Sequence, residues 1–196
     1  MLLCFAENCS KQFKTRSSLT MSLIRHAKTD PHAFTQLYEE HVQAVYRYFM
    51  VRLHEQKEAE DLTSHVWEAV LKNIQHLNSD KTVVFRTWLF TIARNALNKY
   101  FLEKQKKPLE LKEEYEAVCS ADPGPDESLQ SLQNASELHV LIDALPKEQR
   151  ETLSLRYFSD LRNKEIAKIL TVSEKTVASN LSRALQTLRT LWKKLQ

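Results

Sequence analysis

The sequence predicts an all-α protein: an N-terminal helical bundle and a C-terminal helix-turn-helix domain joined by an acidic flexible linker. Three observations lead there. Gly124 is the only glycine among 196 residues, too few for a dinucleotide-binding turn, a Walker phosphate loop or the usual type I′ hairpins. Apolar residues recur at three- and four-residue steps along most of the chain, the period of an amphipathic helix. Between two such stretches, Leu109 to Glu137 holds eight acidic residues against Lys112, net −7, around Asp122-Pro123-Gly124-Pro125-Asp126, which no helix accommodates. With 42% hydrophobic and 27% charged residues the composition is globular. No run nears the roughly 18 apolar residues of a membrane span.

Four segments follow from this: a leader (1–29), a helical domain (30–107), the linker (108–137) and a second helical domain (138–196). The leader shows no clean periodicity, and Met21, shortly before the first strong helix, offers a second start of translation. Cys4-x4-Cys9-x3-Phe13-x5-Leu19 resembles the first part of a Cys2His2 zinc finger, with His26 in the place of the last ligand. Ser22 holds the remaining ligand position, and structural zinc takes four protein ligands, so no metal is assigned. Cys4, Cys9 and Cys119 are odd in number and irregularly spaced, which favours a reducing cytoplasm over a disulfide framework. Met1 to Ala6 lacks the basic n-region of a signal peptide.

Asp30-Pro31 reads as a helix start, a capping side chain followed by proline in the first turn. Phe34, Leu37, Tyr38, His41, Val42, Val45, Tyr46, Phe49 and Leu53 then mark one apolar face, with His41 expected as a packed core residue. A second helix is expected from Glu58 to Ile74, with Ala59, Leu62, Val66, Ala69, Val70 and Ile74 inward and acids in its first turn. A third is expected from Phe85 to Lys104, its stripe being Trp88, Leu89, Ile92, Ala93, Ala96, Leu97 and Tyr100. After the linker, helix restarts near Leu138 and breaks at Ala144-Leu145-Pro146. It resumes over Lys147 to Phe158, then over Lys164 to Leu170 with Asn163 as cap. Thr171-Val172-Ser173 makes a three-residue turn before a last helix, capped by Ser173 and running from Glu174 to Trp192. Two helices joined by so tight a turn are the helix-turn-helix layout.

The net charge of +3 hides its distribution. Lys81 to Lys107 carries seven basic residues against Glu103, and Leu138 to Gln196 eleven against six acids. In the first stretch Phe85, Trp88, Phe90, Tyr100 and Phe101 interleave with the charge. Basic groups hold phosphates while aromatic rings stack on unpaired bases, although some of these rings belong to the core. On the last helix, Val177, Leu181, Leu185 and Leu188 face inward. Lys175, Thr176, Ser179, Asn180 and Arg183 are left near the face that reads base edges in a major groove.

Asp61-Leu62-Thr63 leading into Val66-Trp67, then Phe85-Arg86-Thr87-Trp88-Leu89-Phe90-Thr91-Ile92-Ala93-Arg94-Asn95, resembles the core-binding and promoter-melting domain of bacterial sigma factors of the extracytoplasmic-function type. Leu145-Pro146-Lys147-Glu148-Gln149-Arg150 and the Glu165 to Ala184 stretch resemble their second domain, so the likeness spans Pro31 to Trp192. The resemblance implies core RNA polymerase (β′ and β subunits) and promoter DNA as partners, often with an anti-sigma factor. It implies no cofactor, no small-molecule substrate and no chemistry of its own. It places polymerase binding on Asp61, with Glu58, Ser64, His65 and Glu68 as neighbours. Recognition and opening of the minus-ten element falls to Arg86, Arg94, Asn95, Asn98 and Lys99, and reading of the minus-thirty-five element to Lys175, Thr176, Ser179 and Arg183.

Two departures stand out. The family commonly has basic residues where this chain has Ala178 and Asn180, which predicts a weaker grip on duplex DNA through this helix or a different promoter element. The turn position usually given to glycine is Thr171, expected to keep φ below zero. A stand-alone helix-turn-helix regulator is the rival reading, but it would need neither Asp61 nor an aromatic third helix. No carboxylate pair, Ser–His–Asp set or complete metal cluster stands at mechanistic spacing, so no enzyme is expected.

Overall fold

The computed structural model describes residues 23–77, 82–106 and 138–195. The linker and the finger-like Cys4, Cys9 and Ser22 lie outside the described residues. After a helical turn at 23–26 come α1 (Pro31–Leu53), α2 (Gln56–Asn73), a 3-10 turn (Ile74–His76) and α3 (Thr82–Lys106). A short helix at 138–143 (α4) precedes α5 (Lys147–Tyr157), α6 (Asn163–Leu170) and α7 (Glu174–Leu195).

The ends of α1 are set by local chemistry. Asp30 Oδ1 accepts from the His32 N–H at 2.9 Å, with Pro31 at the first helical position. His54, in the left-handed region at φ 62°, turns the chain out of the helix. α2 then packs on both α1 and α3. Leu37, Val45, Phe49, Ala59, Val66, Val70, Phe85, Leu89 and Leu97 are fully buried between these helices. Trp67 is buried between the rings of Tyr38, at 4.9 Å, and Phe34, at 6.1 Å. His41 is the packed core histidine expected, its ring 5.3 Å from that of Phe85.

The C-terminal half closes on itself through α7, which packs on α5 and α6 around Ile166, Ile169, Val177, Leu181 and Ala184. It also closes on the N-terminal half: α6 lies against α3 and α5 against α1. One apolar cluster runs from Phe49 and Phe90 through to Leu155, Leu161 and Ile166, and Val51 of α1 is buried with Ile142, Leu145 and Leu153. Tyr48 is fully buried as well, its ring edge-on to Phe90 at 6.0 Å. Neither Tyr48 nor Val51 belongs to the apolar stripe read from α1; the second half of the chain buries them.

Three local expectations need correction. α2 and α3 begin earlier than expected, at Gln56 and Thr82; the polar Gln56 and Lys57 that open α2 leave no mark in apolar periodicity. Asn163 is not the cap of α6 but its first residue. The cap position is Arg162, whose N–H donates to Glu165 Oε2 at 2.8 Å. Thr171 does not keep φ below zero: it ends α6 in the left-handed region, at φ 58° and ψ 45°, with its N–H on the Ala167 carbonyl. A β-branched residue is strained there, whereas glycine is not. Thr171→Gly is therefore expected to raise unfolding stability by about 1 kcal/mol, measured by urea titration. A loss of stability would show that the threonine carries contacts outweighing its backbone strain.

Candidate nucleic-acid interface

On α2, Asp61, Ser64, His65 and Glu68 are all exposed and share one face of the helix, continued by the exposed Leu71. Glu58, one turn before Asp61, is held differently. Its carboxylate accepts from the Tyr100 hydroxyl and from Lys104 Nζ at 3.0 and 3.3 Å, tying α2 to α3. Burial, then the hydrogen bond to Glu58, pushes the Tyr100 hydroxyl up to about 12. Burial opposes the charge on Lys104, yet Tyr100 and Glu58 hold its ammonium above the ordinary lysine value. Glu58 is thus a strut between helices beside the exposed face.

The five residues of α3 that the resemblance assigns to the minus-ten element fall into two groups. Asn95 and Lys99 are exposed and Asn98 is half-buried. Lys99 lies 3.7 Å from Glu103, an exposed pair of little strength. Arg86 and Arg94 instead point to the C-terminal half. Arg86 Nη2 donates to the backbone carbonyls of Ser159, at 3.1 Å, and Asp160, at 2.8 Å. Arg94 Nε meets Glu151 Oε1 at 2.7 Å, and Glu151 is buried. Among the aromatic residues, Phe85 and Phe90 are core, not stacking surfaces, because α1 and the C-terminal half enclose them. Trp88 is half-buried beside a cleft of about 350 Å³ lined also by Ala69, Asn73, His76, Leu77 and Ile92.

At the start of α7, Ser173 Oγ accepts from the Thr176 N–H at 3.0 Å, the capping expected from sequence. Lys175, Thr176 and Arg183 are exposed, while Ser179 and Asn180 are half-buried. Val177, Leu181 and Ala184 fill the opposite face, so the exposed set faces away from the C-terminal core. This is the geometry in which N-terminal residues of a recognition helix reach base edges.

Sequence reasoning missed the polar groups along the seam between the halves. His54, at the end of α1, places Nε2 2.7 Å from Asp143 Oδ2, and Arg150 Nη1 holds the other oxygen at 3.0 Å. The His139 ring lies 4.4 Å from that of His54. Burial first, then the neighbouring His54, lowers the His139 pKa below its ordinary 6.5, with Asp143 opposing. The unfolded chain then binds a proton that the folded chain resists, so stability is complete above 6.5 and declines as pH falls below it. His139→Gln is expected to reduce the loss of Tm between pH 7.5 and 5.5; equal losses in both proteins would refute this. Only His139 and Asp143 of α4 and Arg150 of α5 could have hinted at the cluster, since the contact joins residues 89 positions apart.

The Sigma-70 region 2 family model matches residues 37–107, and the Sigma-70, region 4 model matches residues 135–188. The chain is 30% identical over 177 residues to the ECF RNA polymerase sigma factor BldN of Streptomyces coelicolor, covering 89% of this chain and 66% of that one. It spans 66% and 60% of the lengths of the first two curated relatives it matches. The fold is similar to that of CnrH, solved with the cytosolic domain of CnrY (TM-score 0.66, 18% identity, covering 89% of this chain and 97% of that one). It is also similar to RpoE of Bartonella quintana, solved with the anti-sigma factor NepR (TM-score 0.61, 19% identity, covering 82% and 96%). Among the described residues, no helix is long and apolar enough to cross a membrane.

Proposed function

The chain belongs to the sigma-70 family, as an RNA polymerase sigma factor of the extracytoplasmic-function type, and from that membership we infer that it binds core RNA polymerase, recognises promoter DNA and directs transcription initiation. The observation that carries this reading is the presence of region 2 and region 4, in that order, on one chain. A stand-alone helix-turn-helix regulator has use only for the second.

Within this reading the chain divides into a polymerase-binding and promoter-melting domain (30–107), an acidic tether (108–137) and a duplex-reading domain (138–196). A tether of about 29 residues reaches on the order of 95 Å when extended, enough to seat the two domains on separated promoter elements. The exposed stripe of Asp61, Ser64, His65 and Glu68 docks on the polymerase. Arg86, Arg94, Asn95, Asn98 and Lys99 serve the minus-ten element, and Lys175, Thr176, Ser179 and Arg183 the minus-thirty-five element. The protein works in the cytoplasm as an initiation factor without enzymatic activity. The structure of RpoE of Bartonella quintana with an anti-sigma factor supports such a factor as a further partner.

Run-off transcription with purified core polymerase and genomic DNA tests the proposal. Discrete transcripts that require the chain are expected; their absence, with DNA binding retained, would favour the stand-alone regulator.

A further inference from the structure

The Sigma-70 region 2 match begins at residue 37, so the helical turn at 23–26 that precedes α1 has no role assigned to it. It is nonetheless built into the N-terminal half. Ile24 and Ala27 are buried in the same apolar cluster as Ile74 and Leu77, which follow α2. The Thr29 and Asp30 N–H groups both donate to the His26 carbonyl, at 2.9 and 2.8 Å, and close the turn just before Asp30 caps α1. Apolar burial and the start of α1 together fix its position.

From this turn Lys28 reaches the chain 47 and 49 positions on. Its ammonium donates to the Gln75 carbonyl at 3.2 Å and to the Leu77 carbonyl at 2.6 Å, and the Gln75 side-chain amide donates back to the Lys28 carbonyl. Carbonyls that end a helical turn lack partners within it, and hydrogen bonds from an ammonium are stronger than those between neutral groups. The clip grips backbone at the 3-10 turn (Ile74–His76), where the chain leaves α2. The gripped carbonyls bracket His76. His76 and Leu77 in turn line the cleft of about 350 Å³ together with Trp88 and Ile92 of α3. Part of that lining is thus a short irregular turn, and the clip is what ties this turn to the start of the domain.

We propose that Lys28 and Gln75 are positioning residues for promoter melting: by fixing the Gln75–Leu77 backbone they hold the cleft beside Trp88 in the shape that receives an unpaired base of the opened strand. The proposal rests on the assignment of α3 to the minus-ten element. A site that captures a base by stacking works only while its walls keep their separation, so a turn that drifts weakens capture although no group that touches DNA has changed. Core binding is untouched by the clip, because Asp61, Ser64, His65 and Glu68 lie within α2, before the 3-10 turn begins.

The test uses the full chain with core polymerase, on a promoter recovered by the run-off assay. The promoter is prepared as a duplex and as a template whose minus-ten region is already opened by mismatches. Lys28→Met keeps the apolar stem and removes the donors, Gln75→Ala removes the return bond, and Lys28→Arg keeps a charged donor. Lys28→Met and Gln75→Ala are each expected to slow initiation from the duplex by about fivefold, as part of one base-stacking contact is lost, and to slow it much less on the opened template. Lys28→Arg should restore most of the duplex rate. A second readout reports on the cleft itself. Abasic sites placed one at a time in the non-template strand should reveal one position whose loss weakens the parent but no longer weakens Lys28→Met, as expected of coupled groups. Parental duplex rates in Lys28→Met and Gln75→Ala would overturn the proposal. Equal losses on both templates, with lower Tm and core affinity, would make the clip purely structural and leave the α3 assignment standing. Abasic sites that weaken neither protein would overturn both.

Discussion

Asp61→Arg is expected to abolish polymerase-dependent initiation while leaving the fold intact. Asp61 is exposed on α2 at the head of the stripe formed by Ser64, His65 and Glu68, and α2 reaches the core through Ala59, Val66, Trp67 and Val70 on its other side. A change on the open face therefore costs little stability, within about 0.5 kcal/mol. Its effect on docking is large, because reversing a charge replaces an attraction with a like-charge contact worth several kcal/mol at an interface. A fall in core affinity on the order of 100-fold or more follows, read by competition for labelled core polymerase and by run-off yield. Glu58→Gln is the informative contrast. It frees Tyr100 and Lys104 and loosens α2 from α3, so it should lower Tm more than Asp61→Arg does and core affinity less. Equal loss of core binding in the two variants, with Tm unchanged in both, would mean that the docking face begins at Glu58 and that the strut is incidental.

The contrast shows where sequence stops being informative. Periodicity found every long helix, and the Asp30-Pro31 and Ser173 caps were legible because each acts on neighbours within three residues. The resemblance, by contrast, grouped Glu58 with Asp61 on one acidic face. Which of two adjacent acids turns to a neighbouring helix depends on Tyr100 and Lys104, more than 40 positions away. Arg86 has backbone carbonyls for partners, and these carry no sequence signal at all. Tyr48 and Val51 lie off the α1 stripe, so their burial records the docking of the C-terminal half, which a local pattern cannot announce. Thr171 departs from expectation for another reason. The turn itself demands a left-handed residue, and the chain supplies one that bears the strain.

Phe85→Ala bears on the same boundary between core and nucleic-acid surface. By sequence, Phe85 is both the first aromatic of α3 and a member of the basic, aromatic stretch suited to stacking on bases. In the structure it is fully buried, with its ring 5.3 Å from His41 and 6.0 Å from Trp88. Removing it deletes the ring's burial and leaves a cavity that α1 and α3 cannot close without shifting, a loss of about 3–5 kcal/mol. Domains commonly hold only about 5–15 kcal/mol in total, so the variant should be close to unfolding at 37 °C. Because the Phe85 cluster continues into Leu155, Leu161 and Ile166, the loss should lower the transition of the whole chain and not of the N-terminal half alone. Urea unfolding followed by far-ultraviolet circular dichroism gives the value. A cost below about 1 kcal/mol, well short of a cavity in a packed core, together with weakened single-strand binding, would return Phe85 to the DNA surface. The full cost would leave Trp88, half-buried beside the α2–α3 cleft, as the better placed of the two rings to meet an unpaired base.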